Sequence, residues 1–314
     1  MLTKEKYLKD EIMATDTYIC LSLETLNEYE IEKDLDFIVN TLKSFEKNYS
    51  RFLKNNKLWE FNHSSVISAD DEMLEMIKES AKYYKETGGF FDPTVLPHMI
   101  AEGYAVSKNE GFKGRSIYKL PKKSEKHNFD NIEIDCVNKK VRKPKDLYID
   151  LGGIGKGFIV DKIKNYLKTR YSSFCLSVGG DMYLGGKDEK NKYDYWAIEI
   201  ESPFKDFTTP TLILSNTAVA TSGTYKRVWS MGNATKTHII NPHLNRATTS
   251  NLISLTVIGP STVYCDVYAK YLLLLGLEKA MEYCENYNIP AVAISSKGRV
   301  EITGSARKFV WQDE

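Results

Sequence analysis

The sequence predicts an α+β fold, in which helices and strands are not arranged in strict alternation. Two observations support this prediction. Strand-like segments are numerous and often follow each other without an intervening helix, as between residues 195 and 257. Apolar residues at helical spacing are confined to a few segments. A doubly wound α/β fold would instead require a helix after each strand.

Individual elements follow from periodicity and from the polar or glycine residues at their ends. The helices are expected at 31–47, 68–86 and 156–169, with a helix pair within 262–287. The strands are expected at 16–23, 132–136, 140–142, 147–151, 174–178, 195–200, 211–214, 237–240, 253–257, 291–294 and 299–302. Residues 107–128, rich in Lys and Ser, are expected to form a surface excursion. Neither a repeat nor a low-complexity linker divides the chain, so we expect one domain over residues 1–314.

The composition excludes several classes of protein. Hydrophobic residues make up 42% and charged residues 27% of the 314 residues, which is typical of a globular protein and not of a disordered one. The 43 Lys and Arg residues nearly balance the 42 Asp and Glu residues, leaving a net charge of +1. Proteins that bind nucleic acid or an anionic membrane carry a basic excess, so neither partner is expected. The longest apolar run, 271–277, is too short to span a bilayer.

The cysteines and the N-terminal residues bear on the cellular location. The five cysteines are odd in number and widely spaced, without a Cys-x-x-Cys pair. This spacing argues against a disulfide framework or a thiolate zinc site and favours reduced thiols. The first ten residues carry charges of both signs and no apolar core, so they do not predict a signal peptide. We therefore expect a cytoplasmic protein.

The densest functional signal is the segment Asp150-Leu-Gly-Gly-Ile-Gly-Lys-Gly-Phe-Ile-Val-Asp161, between a predicted strand and a predicted helix. Its glycines allow backbone N–H groups to approach an anion, and the helix N-terminus adds a positive dipole. It is not a Walker A loop, because Gly157 follows Lys156 where Ser or Thr is required. A Rossmann fingerprint is excluded too, since no carboxylate follows about 20 residues later. Phosphate binding and a turn that only permits close packing both remain open.

Four shorter motifs carry polar groups that can serve structure or chemistry. Ser177-Val-Gly-Gly-Asp181 ends a strand as a tight turn, and an ordinary hairpin explains it equally well. Ala220-Thr-Ser-Gly-Thr-Tyr225 offers two hydroxyls on a flexible backbone. In Phe90-Phe-Asp-Pro-Thr-Val95 the Asp or the Thr can simply cap a short helix. His238 begins a predicted apolar strand, where a single histidine is either a structural residue or a catalyst.

Taken in order, these motifs resemble those of the ApbE family, the FAD:protein FMN transferases. The resemblance extends from residue 13 to residue 276. The matching stretches are Met13-Ala-Thr, Phe91-Asp-Pro-Thr-Val, Asp150-Leu-Gly-Gly-Ile-Gly-Lys-Gly, Ser177-Val-Gly-Gly-Asp, Ala220-Thr-Ser-Gly, His238-Ile-Ile-Asn-Pro and Asp266 ahead of a Leu-rich helix. The resemblance implies an ApbE-like fold of two intertwined α/β subdomains, with mostly antiparallel sheets and an FAD pocket between them.

The resemblance also implies an activity and the residues that perform it. Enzymes of the family transfer the FMN half of FAD to a Thr or Ser hydroxyl of a target flavoprotein and release AMP. His238 is then the candidate base for the hydroxyl proton. The residues implied in FAD binding are Met13, Thr94, Gly153, Lys156, Asp161, Ser177, Gly179, Gly180, Thr221, Ser222 and Gly223. Family acceptors carry a motif like Asp-x-x-Ser/Thr-Gly/Ser-Ala-Thr, and residues 302–306 of this chain only approach it, so self-modification is not predicted.

A divalent cation, usually Mg²⁺, is implied as well, with the carbonyl of Gly155 and the carboxylate of Asp266 as ligands. The sequence departs from the family here, because Lys270 stands at the position of the usual Thr ligand. Residues at i and i+4 share a helix face, so Lys270 can form an ordinary ion pair with Asp266. A protonated lysine cannot ligate a hard cation, although its ammonium can occupy the cation's place. The sequence therefore leaves metal binding open.

Two function classes remain after these departures. Lys270 and Asn241 favour a flavin-binding module without transferase activity, and Thr224 is a further position at which the family often has an acidic residue. The retained His238, Lys156 and glycine motifs favour the transferase, which we take as the main prediction. An FAD pyrophosphatase that gives FMN and AMP is a third, narrower alternative.

Overall fold

The computed structural model describes residues 4–13, 15–23, 28–106, 116–118, 128–188, 193–232 and 234–312. The helices are α1 (Glu28–Tyr49), α2 (Lys57–His63), α3 (Asp71–Glu86), α4 (Leu96–Ala101), α5 (Gly155–Leu167), α6 (Thr262–Leu275) and α7 (Leu277–Asn286). The strands are β1 (Lys4–Ile12), β2 (Thr15–Leu23), β3 (Val66–Ser68), β4 (Glu133–Asp135), β5 (Lys140–Arg142), β6 (Phe174–Val178), β7 (Asp181–Gly185), β8 (Trp196–Glu199), β9 (Thr211–Leu214), β10 (Thr217–Gly223), β11 (Val228–Met231), β12 (Ala234–Thr237), β13 (Ile240–Asn241), β14 (Arg246–Ala247), β15 (Leu252–Gly259), β16 (Ala291–Ser295) and β17 (Val300–Ile302).

The chain divides into two compact units, each assembled from separate segments. The larger unit contains Met1–Lys43, Lys156–Tyr225 and Ser250–Glu314, and the smaller unit contains Ser44–Gly155 and Lys226–Thr249. Because the chain passes from one unit to the other several times, no single cut separates them. Helices combined with antiparallel sheets confirm the α+β prediction. One domain over residues 1–314 stays a prediction.

The larger unit is built on an antiparallel sheet of eight strands. Its order is β1-β2-β6-β7-β10-β15-β16-β17, so strands distant in sequence become neighbours. Helix α6 packs on β7, β10 and β15, and α7 packs on α6 and β16. The pair β8–β9 contributes Trp196, Leu212 and Leu214 to a buried cluster shared with the sheet. The sheet is therefore covered by apolar contacts from helices and from this second strand pair.

The smaller unit combines short helices with small sheets. Strands β3, β5 and β4 form an antiparallel sheet, while β11–β12 and β13–β14 are separate pairs. Asp70 begins α3 as predicted, since its side chain accepts a hydrogen bond from the backbone N–H of Met73 at 2.8 Å. After α3 the chain turns at Gly88 and Gly89, which have φ values of 59° and 79° that favour glycine. These local signals explain why the prediction for α3 was correct to within a few residues.

Most predicted elements are confirmed, and three predictions are wrong. Residues 147–151 form no strand, because the side chain of Asn62 bonds the backbone of Ile149 and the carbonyl of Pro93 accepts from Asp150 N. The predicted strand 237–240 is interrupted by a bend at residues 238–239, between β12 and β13. Residues 221–223 belong to β10 inside the large sheet and are not on a flexible segment.

Strands β1, β3, β10, β11 and β14, most of β12 and helix α2 were not predicted from the sequence. Of the surface excursion expected at 107–128, residues 107–115 and 119–127 lie outside the described residues. The five cysteines, all within the described part of the chain, form no disulfide, as expected. Among the described helices, none combines the length and the apolar character needed to cross a membrane.

Candidate active site

Three of the predicted FAD-binding motifs lie at one end of the large sheet. Met13 occupies the β1–β2 turn, and Gly179 and Gly180 form the β6–β7 turn with φ values of 65° and 88°. The two turns adjoin, since Gly179 N donates to the carbonyl of Asp16 at 2.7 Å. Strand β10 runs antiparallel to β7, so its last residues, 221–223, extend towards the Gly179-Gly180 turn. The sheet register thus collects motifs that are about 200 residues apart in sequence.

The hydroxyl-bearing residues of this group are held by the sheet itself. Ser177 is buried in β6, and Ser222 is buried in β10 opposite Leu255. The exposed Thr221 shares a hydrogen bond of 2.8 Å with the hydroxyl of Thr256 on β15. The strands β6 and β10 therefore place these three residues near the same end of the sheet.

A cluster of four charged residues lies in the larger unit, and we call it the lysine–aspartate cluster. Lys156, in the first turn of α5, forms an ion pair with Asp181, the first residue of β7. On α6, Lys270 Nζ lies 3.2 Å from Asp266 Oδ1. Burial, followed by the charge of Asp266, raises the pKa of Asp181 to about 6, while both lysines act to lower it. The two ion pairs are therefore close enough to influence each other.

Two further residues fix α5 against the start of α6. A Cβ atom at Gly157 would lie 2.7 Å from Val263 Cα and 2.8 Å from Thr262 O, so only glycine allows this approach. The carboxylate of Asp161 accepts hydrogen bonds from the N–H groups of Thr262 and Val263 at 3.0 and 2.9 Å. Gly157 therefore serves packing, and Asp161 caps the helix that carries Asp266. The nucleotide-binding role of Asp161 stays a prediction.

The side chains around Asp266 do not fit a divalent cation held by the protein. Asp266 Oδ2 is buried and accepts no hydrogen bond, so it is the atom that a cation would reach. However, Lys270 occupies the other oxygen and offers no lone pair. Mg²⁺ usually keeps several waters and takes only one or two protein carboxylates, so the obstacle here is the ammonium of Lys270, which already holds one oxygen of Asp266. The metal role of Gly155 and Asp266 stays a prediction.

In the smaller unit, the glycine-rich turn is joined to the Thr94 motif. Asp150 Oδ2 accepts from Gly152 N at 3.1 Å, and Asp150 N donates to the carbonyl of Pro93 at 2.8 Å. Asp92 accepts from both the N–H and the hydroxyl of Thr94, at 2.8 and 2.7 Å, and so caps the short 3₁₀ helix Pro93–Val95 as predicted. Burial raises the pKa of Asp92. Gly153 lies in the same turn.

His238 belongs to an aromatic group in the smaller unit. Its ring meets the ring of Tyr104 edge to face at 6.0 Å, and Trp229 stacks on Tyr104 at 5.6 Å. The buried Arg51 lies over the ring of Tyr104 at 4.4 Å and donates to its carbonyl at 2.9 Å. The Nε atom of Arg51 is also 3.3 Å from Asp150 Oδ1. Arg51 therefore connects the glycine-rich turn to the aromatic group that holds His238.

The structure brings the predicted residues together in two groups, one in each unit. The larger unit holds Met13, Lys156, Asp161, Ser177, Gly179, Gly180, Thr221, Ser222, Gly223 and Asp266, and the smaller unit holds Thr94, Gly153, Gly155 and His238. Sequence reasoning missed Arg51, Tyr104 and Asp181. Asp181 follows two glycines in a motif that was recognised, so it could have been found. Arg51 and Tyr104 carry no sequence signal, because their partners are distant along the chain.

Comparison with known proteins identifies the family to which the chain belongs. A sequence model of the ApbE family matches residues 15–293. An FAD:protein FMN transferase from Haemophilus influenzae is 26% identical over 88% of this chain and 83% of its own length. The enzyme of that name from Vibrio cholerae is 27% identical over 81% of this chain and 76% of its own. The structure of an ApbE protein from Thermotoga maritima superposes with a TM-score of 0.84 at 22% identity, covering 98% of this chain and 100% of that one. Because the family model covers most of its length, this chain belongs to the ApbE family.

Proposed function

We propose that this protein is an FAD:protein FMN transferase, which moves FMN from FAD to a Thr or Ser hydroxyl of a target flavoprotein and releases AMP. The observation that carries the proposal is the contact network in which Arg51 joins the glycine-rich turn at Asp150 to Tyr104, the ring partner of His238. This network links the candidate base to the glycine-rich turn, which supports a role for both in one site. Family membership and the names of its relatives support the same activity.

The reaction is a phosphoryl transfer. The acceptor hydroxyl oxygen forms a bond to the phosphorus of the FMN half, and the pyrophosphate P–O bond breaks so that AMP leaves with its electron pair. The hydroxyl proton passes to His238. The edge-to-face contact with Tyr104 restricts rotation of the imidazole, which positions the base. The N–H groups of Gly152, Ile154 and Gly155 donate to Asp150 and Leu151 within the turn, so Lys156 is the group that offsets negative charge on the phosphates.

The proposal extends to the acceptor protein, the cellular location and the source of positive charge. The target carries a motif like Asp-x-x-Ser/Thr-Gly/Ser-Ala-Thr, and the reaction takes place in the cytoplasm. The family resemblance implies Mg²⁺ on Asp266 and on the carbonyl of Gly155, a role that does not fit the ion pair between Asp266 and Lys270. The lysine–aspartate cluster favours an ammonium group as the source of positive charge at the pyrophosphate.

The test is the intact mass of an acceptor protein that carries the motif, after incubation with this protein and FAD. We expect a mass gain equal to one FMN, and His238→Asn should lower the rate by about 10²- to 10⁴-fold, the usual contribution of a general base. His243→Asn is the matched control, because His243 is exposed and contacts Gly88 O and the ring of Phe90. Free FMN with AMP would instead indicate a pyrophosphatase. Bound FAD without products would indicate a binding module.

A further inference from the structure

The lysine–aspartate cluster has a charge distribution that differs from that of a metal site. Asp181 and Asp266 are 1% and 4% exposed, whereas the side chains of Lys156 and Lys270 are each 22% exposed. Two carboxylates therefore lie inside and two ammonium groups lie nearer the surface. With both ion pairs formed, the formal charge of the cluster is zero, so the buried carboxylates need no further cation for neutrality.

The position of Lys270 also works against a divalent ion. Its ammonium lies 3.2 Å from Asp266 Oδ1, at the distance of a hydrogen-bonded ion pair. A hard cation at Asp266 would have to displace this ammonium or bind beside it, against the repulsion of like charges. Lys156 on Asp181 presents the same obstacle from the other pair. Two ammonium groups, each bound to a carboxylate, therefore lie where a cation would have to contact Asp266 and Asp181.

We propose that the ammonium of Lys270 takes the role of the divalent cation in this protein, so that the cluster binds the pyrophosphate of FAD, and supports FMN transfer, without a metal ion. The inference rests on the function proposed above. Lys270 is held by Asp266, and Lys156 is held by Asp181, so both ammonium groups keep their positions before the substrate arrives.

The central experiment compares transfer in EDTA with transfer in millimolar Mg²⁺ for the wild type and for position 270. The wild type should differ less than twofold between the two conditions. Lys270→Thr restores a hydroxyl one turn after Asp266, so it should lose at least tenfold in EDTA and recover with Mg²⁺. Lys270→Met offers neither charge nor ligand and should be slow in both conditions. Lys270→Arg should transfer FMN more slowly than the wild type, but at the same rate in EDTA as in Mg²⁺.

Lys82→Thr on α3 is the matched control, because Lys82 forms an exposed i,i+3 ion pair with Glu79 far from the cluster in sequence. It should behave as the wild type in both conditions. A wild type that is inactive in EDTA and restored by Mg²⁺ would overturn the inference. So would a Lys270→Thr variant that remains active without metal.

A binding measurement decides the inference even if transfer itself is not observed. Mn²⁺ is titrated into the protein in the absence of FAD, and the free ion is measured by electron paramagnetic resonance. We expect no specific binding to the wild type or to Lys270→Met, and one site in Lys270→Thr. One Mn²⁺ site in the wild type that Asp266→Asn abolishes would contradict the inference directly. Absence of FMN transfer in every condition would refute the proposed function instead, and the Mn²⁺ titration would still report on Lys270.

Discussion

Replacing Gly157 by alanine tests how α5 and α6 are held together. The added Cβ atom would lie 2.7 Å from Val263 Cα and 2.8 Å from both Thr262 O and Val263 N. Ordinary contacts between carbon atoms are about 3.5–4.0 Å, so the helices must separate by about 1 Å. All three neighbours are backbone atoms, which cannot rotate away. Overpacking of this kind costs about 1–3 kcal/mol, and the better helix propensity of alanine offsets about 1 kcal/mol of it.

We therefore expect Gly157→Ala to lower the free energy of unfolding by up to about 2 kcal/mol in urea denaturation. Gly155→Ala is the matched control in the same helix, since its Cβ would meet only side-chain atoms at ordinary contact distances, the ring of Phe45 at 3.4 Å and Leu151 Cβ at 4.0 Å. That variant should stay within about 1 kcal/mol of the wild type. Gly157→Ala should also slow FMN transfer, because Lys156 and Asp266 lie on the two helices that separate. Equal stability of the two variants would show that the close approach at Gly157 is not limiting.

Three further predictions concern buried charges. Asp161→Ala removes the acceptor of two N–H groups at the start of α6, whose N-cap is Ser261, together with the ion pair to Lys164, and should cost about 1–2 kcal/mol in urea. Asp161→Asn should retain part of this stability, and equal losses would contradict the role of Asp161 as acceptor. Burial alone would raise the pKa of Asp34, but hydrogen bonds from two tyrosines and Arg170 lower it overall, so its stabilisation is present above the ordinary value of 3.8 and is lost as the pH falls. Asp34→Asn should thus lower the free energy of unfolding by about 1–3 kcal/mol at pH 7, and this difference from the wild type should narrow below pH 4. A difference that does not change with pH would refute the lowered pKa of Asp34. Burial lowers the pKa of Lys143 to about 8, so unfolding takes up a proton between pH 8 and pH 10.5. The free energy of unfolding of the wild type should therefore rise across this pH range relative to that of Lys143→Met. Parallel curves for the two proteins would contradict the lowered pKa.

The sequence was informative where a local signal determines the structure. The Gly179-Gly180 turn was predicted because two residues with positive φ between strands require glycines. Asp70 and Asp92 were recognised as candidate caps because their partners lie two or three residues away. The motif order identified the family, and the family match then confirmed it. These features depend on neighbours along the chain.

The predictions failed where the partner is distant. Residues 147–151 have strand-like composition, but their backbone groups are satisfied by Asn62 and Pro93, which no local pattern indicates. The Thr-Ser-Gly segment of β10 looks flexible in sequence and becomes rigid only between β7 and β15. Arg51 gains its importance from Asp150, about 100 residues later. The sequence showed that Lys270 departs from the family pattern, but it did not show that the second ion pair, Lys156–Asp181, is close enough to influence the first.

The measurement that tests the central claim most directly is the molar ratio of AMP released to FMN attached to the acceptor, followed in time with FAD in excess and EDTA present. Since each transfer breaks one pyrophosphate bond and forms one bond to a hydroxyl, a transferase gives a ratio of one to one throughout. We predict this ratio for the wild type without added metal. AMP formed without attached flavin would show a pyrophosphatase, and bound FAD with neither product would show a binding module; either result would contradict the account.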